Sequence, residues 1–405
     1  MEEFFFQLML ILFSARLLGE LAARVKIPSV IGELFAGILI GPSLLNWIQP
    51  TEIIKILAEI GIVLLLFEVG LETEIARLAK TGLKPLIVAV GGVVIPFVLG
   101  FIVSYQFFQL DLLVSLFIAS TLTATSIGIT VRVLTDLKRQ TSDESQIVLG
   151  AAVIDDIIGI ILLSMVYEFS ISGGVNLPNV GKIILFILLF LILAPIAAKC
   201  IASLIKYYDA KSEIPGLVPT SIVTLILFFG WIAHKVGAPE LLGGFAAGLA
   251  LSKQFYLPVG SLRKFLDFDE EFSKKVEKKM KPIVHLFAPI FFVTVGLSLN
   301  LREIQWDSTF VWFLSISILI VAIIGKFASG FLLLKENKWI KWAVGLAMIP
   351  RGEVGLIFAE VGLNNKILNN ELYAAMIIVI AITTIFTPIG MRYFYSMKNN
   401  ELKNK

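Results

Sequence analysis

Two adjacent carboxylates stand inside an apolar stretch of this chain. Asp155 and Asp156 occur in "GAAVIDDIIGI", which begins at Gly150, and the apolar residues continue to Leu163. Adjacent residues of a helix point about 100° apart, so one carboxylate can face a buried cation while its neighbour faces a wet cavity. Two close carboxylates also repel one another and titrate as a coupled unit. Such a pair can exchange a proton for a hard cation, which prefers oxygen ligands.

Basic residues also occur deep within apolar stretches. Lys326 lies in "AIIGKFASG", and Arg351 lies in "MIPRGEVGLIF" together with Glu353. Each charge at the centre of a membrane helix costs about 2.5–3.5 kcal/mol if it is left unpaired, so these groups must be paired, protonated or hydrated. One lysine cannot neutralise two carboxylates, which favours a functional role for the aspartates. Arg351 and Glu353 fit an internal ion pair and direct ion binding equally well.

A hydroxyl-rich segment, "STLTATSIGIT" from Ser120, precedes the aspartates. Taken alone it is unremarkable, because Ser and Thr commonly bond back to the carbonyls of their own membrane helix. In the second half of the chain, "IPRGEVG" contains Pro350 and Gly352, which interrupt helices. Two interrupted helices that cross near the middle of a membrane offer free carbonyls and oppositely directed dipoles. We therefore predict that these two segments cross.

The elements that position these residues are membrane spans. Of the 405 residues, 57% are hydrophobic and only 16% are charged, which excludes an ordinary soluble domain. A helix that crosses the hydrocarbon needs about 17–25 mostly apolar residues, and the chain contains about thirteen such stretches. They lie approximately at 4–22, 27–46, 53–71, 85–106, 112–134, 145–167, 183–205, 216–234, 239–252, 283–299, 309–334, 341–362 and 371–391.

The basic residues between the spans predict the orientation of the chain. Nearly all of them lie in loops that follow odd-numbered spans, or in the C-terminal tail, 395–405. By the positive-inside rule, the N-terminus is outside and the C-terminus is cytoplasmic, as expected for a multi-pass protein of the cell membrane. The net charge of +3 mostly reflects this asymmetry and gives no reason to expect a nucleic-acid partner. The basic residues that instead lie in loops after even-numbered spans are Lys55, Lys182, Lys235, Arg302 and Lys366.

The chain contains an internal repeat. "GELAARVKIPSVIGELFAGIL" from Gly19 aligns without gaps on "GWIAHKVGAPELLGGFAAGLA" from Gly230, and "VGLE" at Val69 corresponds to "VGLS" at Val295. The offset is seven spans, an odd number, so the second copy has the opposite orientation in the membrane. Inverted repeats of this kind are typical of secondary transporters, whose sites lie near the midplane between the repeats. The seventh span, within 182–206, connects the two copies.

The motifs "TSIGIT", "GAAVIDDIIG", "GKFASG" and "MIPRGEVGLIFA" together resemble the monovalent cation:proton antiporter superfamily, in particular NapA- and GerN-like sodium/proton exchangers. The resemblance implies an all-α fold with crossed interrupted helices in a core domain, 84–168 with 308–394. A dimerisation domain, 1–75 with 215–300, completes the fold, and the core moves like an elevator within a homodimer. By motif position, Asp156 is the main cation and proton carboxylate and Asp155 pairs with Lys326. Thr125 and Ser126 lie at the first crossing, and Arg351 and Glu353 at the facing one.

We therefore predict a Na⁺/H⁺ antiporter in which proton and cation compete for the aspartate site, with no cofactor and no enzymatic activity. The resemblance also implies electrogenic exchange, with two protons for one sodium ion. A K⁺/H⁺ antiporter or K⁺-efflux system is the alternative, because Na⁺, Li⁺ and K⁺ all bind to oxygens. A channel would conduct without counter-movement of protons. An intramembrane aspartyl protease needs two carboxylates that face one another, and adjacent aspartates on one helix diverge too far for this.

Overall fold

The computed structural model describes residues 2–25, 27–72, 81–172, 177–209, 216–252, 270–303 and 306–403. This part of the chain forms fifteen α-helices and contains no β-strand. In chain order the helices are α1 (Glu2–Arg24), α2 (Ser29–Ile40), α3 (Glu52–Glu72), α4 (Lys84–Ile102), α5 (Leu112–Thr121), α6 (Ile127–Asp136), α7 (Asp143–Ser172), α8 (Leu177–Asp209), α9 (Leu217–Lys235), α10 (Glu240–Leu251), α11 (Glu270–Ser298), α12 (Thr309–Ser329), α13 (Lys338–Ala347), α14 (Glu353–Asn364) and α15 (Asn370–Lys403).

The helices have the lengths of a multi-span membrane protein. Eight of the described helices are long and apolar enough to cross a membrane, and four shorter ones of 10–17 residues are also apolar. The predicted all-α membrane architecture is confirmed, whereas the count of thirteen spans stays a prediction. Two predicted spans, 112–134 and 341–362, each consist of two half-length helices, namely α5 with α6 and α13 with α14. The predicted interruptions therefore lie where the sequence indicated.

Contacts divide the chain into two compact units. The first comprises Met1–Ile54, Thr81–Asn176 and Phe292–Lys405, and the second comprises Lys55–Lys80 and Leu177–Phe291. The first unit contains both interrupted helices together with α4, α7, α12 and α15, the helices that carry or surround the polar motifs. These units are defined by contacts, whereas the predicted core and dimerisation domains are defined by which segments move together. The predicted domains therefore stay a prediction.

The sequence repeat is also a structural repeat. In the first unit α2 follows α1, and in the second unit α10 follows α9; each second helix has twelve residues and begins directly after a proline. A Cβ at Gly32 would overlap the Leu18 carbonyl, and a Cβ at Gly243 would overlap the Phe229 carbonyl. These two contacts involve aligned residues of the repeat. Only glycine permits such close approach of two helix backbones.

The two repeats also exchange packing partners. In the first unit, a Cβ at Gly37 of α2 would overlap the Val293 carbonyl of α11. In the second unit, a Cβ at Gly248 of α10 would overlap the Phe67 carbonyl of α3. Gly37 aligns with Gly248, and Phe67 aligns with Val293 at the offset of "VGLE" and "VGLS". The second helix of each repeat thus packs against the third helix of the other.

A Gly243→Ala substitution tests this packing. The added methyl group meets the backbone of Phe229 and Gly230, and overpacking of this kind costs about 1–3 kcal/mol. We expect a lower melting temperature of the detergent-solubilised protein. Gly181→Ala is the matched control, because a Cβ there meets nothing within 4 Å and Ala favours a helix. Equal melting temperatures for the Gly243→Ala variant and the native protein would contradict the packing.

Candidate ion-binding site

The two interrupted helices cross in the first compact unit. Residues 122–126 separate α5 from α6, and residues 348–352 separate α13 from α14. The backbone N–H of Ser126 donates to the Pro350 carbonyl at 2.8 Å, so the two breaks lie directly against one another. Because the membrane interior has no water to satisfy free backbone groups, each break must find its partners inside the protein.

Hydroxyl groups join the two breaks. Thr125 Oγ1 donates to the Met348 carbonyl at 3.3 Å, and Thr130 Oγ1 donates to the Ala347 carbonyl at 2.8 Å. Both acceptors lie at the C-terminal end of α13, where helix carbonyls have no partner within the helix. Other hydroxyls of the segment bond back within their own helix, namely those of Ser120, Thr121 and Thr123.

Gly352 permits the close approach of the two breaks. A Cβ at this position would lie 2.6 Å from Ser126 Oγ and 2.8 Å from Ser126 Cβ. Ser126 is the N-cap of α6, where its side chain accepts from the backbone N–H of Ile129. The glycine predicted to interrupt a helix therefore also provides the space for the cap of the opposite half-helix.

Arg351 binds backbone carbonyls at the C-terminal ends of the half-helices α5 and α13. Its Nη2 donates to the Leu122 carbonyl at 2.6 Å and to the Ala322 carbonyl at 3.4 Å, and its Nη1 donates to the Ile349 carbonyl at 3.0 Å. Leu122 and Ile349 lie just beyond the C-termini of α5 and α13, which carry the negative ends of the helix dipoles. The fully buried guanidinium group thereby neutralises these ends.

The predicted pairing of Arg351 with Glu353 stays a prediction. The backbone of Glu353 begins α14, but its side chain is outside what the structure describes. Among the described residues, no acceptor bonds to Nε of Arg351. The Thr384 hydroxyl of α15 donates to the backbone carbonyl of Arg351. Sequence reasoning did not single out Thr384, although "ITTIFTP" is another hydroxyl-rich apolar segment.

Lys326 of α12 and Asp155 of α7 form a fully buried ion pair. Nζ of Lys326 donates to Oδ1 of Asp155 at 2.9 Å and to Oδ2 at 3.0 Å, and both side chains are 0% exposed. Thr125 and Arg351 of the crossing are both close enough to Asp155 to interact with its carboxylate. Gly325 brings α12 close to α4, since a Cβ there would lie 2.7 Å from Pro96 Cα.

Asp156 is the next residue on α7, and only 4% of its surface is exposed. Five predicted site residues lie in contact with the crossing or with one another, namely Asp155, Thr125, Ser126, Lys326 and Arg351. That these residues and Asp156 bind the transported ion remains a prediction. The site brings two buried carboxylates together with the ammonium group of Lys326 and the guanidinium group of Arg351.

Comparison with known proteins gives a family match over most of the chain. Residues 9–394 match the family described as sodium/hydrogen exchanger, transmembrane. The Na⁺/H⁺-K⁺ antiporter GerN of Bacillus cereus is 32% identical over 99% of this chain and 98% of its own length. The high-affinity Na⁺/H⁺ antiporter NhaS3 of a Synechocystis strain is also 32% identical, over 98% of this chain and 91% of its own length.

A solved structure has the same fold. The sodium proton antiporter MjNhaP1 of Methanocaldococcus jannaschii superposes with a TM-score of 0.68 over 98% of this chain and 97% of its own. The two sequences are only 19% identical, so this likeness concerns the fold.

The buried ion pair of Lys326 and Asp155 predicts how the melting temperature changes when first one partner and then both are replaced. Lys326→Met leaves the Asp155 carboxylate buried without its ammonium partner, and breaking a buried pair in this way costs about 3–5 kcal/mol. Adding Asp155→Asn removes the orphaned charge, so we expect the melting temperature to fall in the single variant and largely recover in the double variant. Thermal unfolding in detergent measures both. A double variant that is no more stable than Lys326→Met would show that the pair is not an energetic unit.

Proposed function

The chain belongs to the sodium/hydrogen exchanger family, and from this premise we propose that it is a secondary-active Na⁺/H⁺ antiporter. The observation that carries the proposal is the arrangement of Asp155, Asp156 and Lys326. Two adjacent carboxylates are buried beside a crossing of interrupted helices, and one ammonium group pairs with one of them. The names of GerN and NhaS3 support sodium and protons as the exchanged ions.

Charge balance supports exchange at Asp156. The ammonium of Lys326 balances the carboxylate of Asp155, and Arg351 and Glu353 balance one another if they pair as predicted. Asp156 adds a further buried carboxylate to this site of low dielectric, where burial of a negative charge is costly. Either a bound proton or a bound monovalent cation removes this cost. Because both occupy the same carboxylate, binding of one displaces the other, which is the coupling that an antiporter needs.

The crossing supports a site that both sides of the membrane can reach in turn. Inverted repeats allow alternating access by movement of one group of helices relative to the other. We propose that 84–168 and 308–394 carry the ion, with Thr125 and Ser126 as neighbouring ligands, while 1–75 and 215–300 form a stationary homodimer in contact with membrane lipids. The electrogenic exchange of two protons for one sodium ion, and transport of Li⁺, are further parts of this proposal.

The charge asymmetry of the loops supports the orientation in the membrane. We propose a multi-pass protein of the cell membrane with its N-terminus outside and its C-terminus in the cytoplasm. The aspartate pair, predicted to lie near the midplane, is then about equally far from the two aqueous sides.

Exchange of K⁺ is the second candidate. GerN is named as an Na⁺/H⁺-K⁺ antiporter, and it matches this chain along nearly its whole length. The oxygen ligands of the site suit both ions, which differ in the cavity size and ligand number that they prefer.

Asp156→Asn tests the proposed carboxylate. The asparagine keeps the shape of the side chain but cannot change its charge, so we expect Na⁺-driven proton movement to fall to the level of empty liposomes. Purified protein in liposomes with an internal pH dye measures this after addition of Na⁺, Li⁺, K⁺ or choline. Asp307→Asn, at an exposed loop residue, is the control and should transport like the native protein. Full transport by Asp156→Asn would remove this residue from the mechanism.

Competition between proton and cation predicts a pH effect on apparent affinity. Where one proton and one Na⁺ exclude each other, mass action raises the half-saturating Na⁺ concentration by up to about tenfold for each unit of falling pH. The maximal rate should be much less affected. Initial rates over a matrix of pH and Na⁺ concentration measure both quantities. A half-saturating concentration that is constant across pH would exclude a shared site, and saturation by K⁺ but not by Na⁺ would favour the second candidate.

A further inference from the structure

A second buried carboxylate lies away from the aspartate pair. Glu33 of α2 is 4% exposed, and its Oε1 accepts a single long hydrogen bond, 3.4 Å, from Nη2 of Arg132. Its Oε2 is buried and has no hydrogen-bond partner in the described part of the chain. A buried carboxylate oxygen without a donor is costly, and such groups are rare in native structures. The burial of Oε2 without a donor therefore indicates a role for Glu33 other than stabilising the fold.

The partner of Glu33 is shared with another carboxylate. Nη2 of Arg132 also donates to Ser29 Oγ at 3.2 Å, and its Nε lies 3.6 Å from Oδ1 of Asp136, one turn later on α6. Nε has no hydrogen-bond partner among the residues described. Oδ2 of Asp136 in turn accepts from the Ser29 backbone N–H at 3.1 Å and from the Ser29 hydroxyl at 3.0 Å. Through these contacts the last turn of α6 is tied to the first turn of α2.

The three charged groups around Glu33 come from two helices. Arg132 and Asp136 face it from α6, and Arg16 faces it from α1. Arg132 already has Asp136 as a neighbour at i+4, a spacing at which opposite charges attract on any helix. Its bond to Glu33 can therefore be lost without leaving the guanidinium group unpaired.

The fold does not require a carboxylate at this position. In the repeat alignment Glu33 corresponds to Gly244, where a Cβ would overlap the Val63 carbonyl. The second repeat thus uses the position for close packing of α10 on α3, both in the second unit. In the first repeat the Glu33 side chain instead packs beside Gly19 of α1, where a Cβ would lie 3.5 Å from Glu33 Cγ, an ordinary contact distance.

The helix that carries Arg132 also carries part of the ion site. α6 has only ten residues, with Ser126 capping its first turn and Asp136 ending its last. Ser126 bonds to Pro350 at the crossing, whereas Arg132 and Asp136 bond to α2. A short helix moves as one rod, so a change in the bonds at its far end is transmitted to the crossing.

We propose that Glu33 is a second proton-binding site, separate from the aspartate pair, and that its protonation releases Arg132 and loosens α6 from α2. The proton binds to the buried Oε2, converting the carboxylate to a neutral carboxylic acid. Asp136 is then the remaining acidic partner of Arg132, which keeps its hydrogen bond to Ser29. The effect on transport rests on the proposed function, whereas proton binding at Glu33 does not.

Infrared spectroscopy tests proton binding without relying on transport. The carbonyl stretch of a protonated carboxyl group is recorded as pH is lowered, in the Asp156→Asn background, with and without Glu33→Gln. We expect a pH-dependent band of a buried carboxyl group that disappears with Glu33→Gln. The matched control is Glu144→Gln, because Glu144 is likewise buried and lies 3.8 Å from an arginine, Arg139. A band that survives Glu33→Gln, or that is lost equally in both variants, would overturn the proposal.

The transport measurement uses Glu33→Gln in the otherwise native chain. The amide imitates the protonated state, so we expect the maximal rate at alkaline pH to rise severalfold and its pH dependence to flatten, with an unchanged half-saturating Na⁺ concentration. Glu33→Asp should restore the pH dependence. A native pH profile with only a lower melting temperature would show a structural ion pair and overturn the proposal. If Asp156→Asn still transports, the proposed function fails, but the infrared result at Glu33 remains decisive.

Discussion

The membrane interior provides no water for hydrogen bonding, and the whole arrangement of this chain follows from that constraint. A helix that stops at its midpoint leaves donors and acceptors that only protein groups can satisfy. Here each of two broken helices supplies partners for the other, through Ser126 and Pro350, and through Thr125 and Met348. Arg351 binds the remaining carbonyls. The crossing is thus stable only as a pair, which is why both halves of the chain carry a break at corresponding positions.

The same constraint makes the buried charges informative. Lys326 and Asp155 come from helices far apart in the chain, yet their side chains meet without any exposure to solvent. Their mutual attraction offsets part of the cost of burial, and Asp156 adds a second buried carboxylate beside them. In the family to which this chain belongs, such a site is in keeping with ion exchange. Burial of this pair therefore restricts how these positions can vary, because loss of either partner leaves a buried charge unpaired.

Much of the site could be predicted from sequence, because the relevant signals are local. Adjacent aspartates, a lysine in an apolar stretch and a Pro-Arg-Gly interruption need only composition and spacing. What could not be predicted is which neighbour each side chain meets. Thr121 and Thr125 stand in the same hydroxyl-rich run, yet one bonds back to its own helix and the other crosses to Met348. Glu33 and Arg132 likewise show no signal of their contact, because they are 99 residues apart and only helix packing brings them together.

The exchanged packing of the two repeats has a consequence for energetics. Because the second helix of each repeat uses an aligned glycine to contact the third helix of the other, interchanging the roles of the repeats preserves the same set of backbone contacts. Any arrangement related to this one by that interchange would keep these backbone contacts. The copies differ at particular side chains, such as Glu33 opposite Gly244 and, at the offset of "VGLE" and "VGLS", Asp155 opposite Ala381. The repeat thus makes the backbone packing nearly symmetric, and single side chains are what distinguish the two copies.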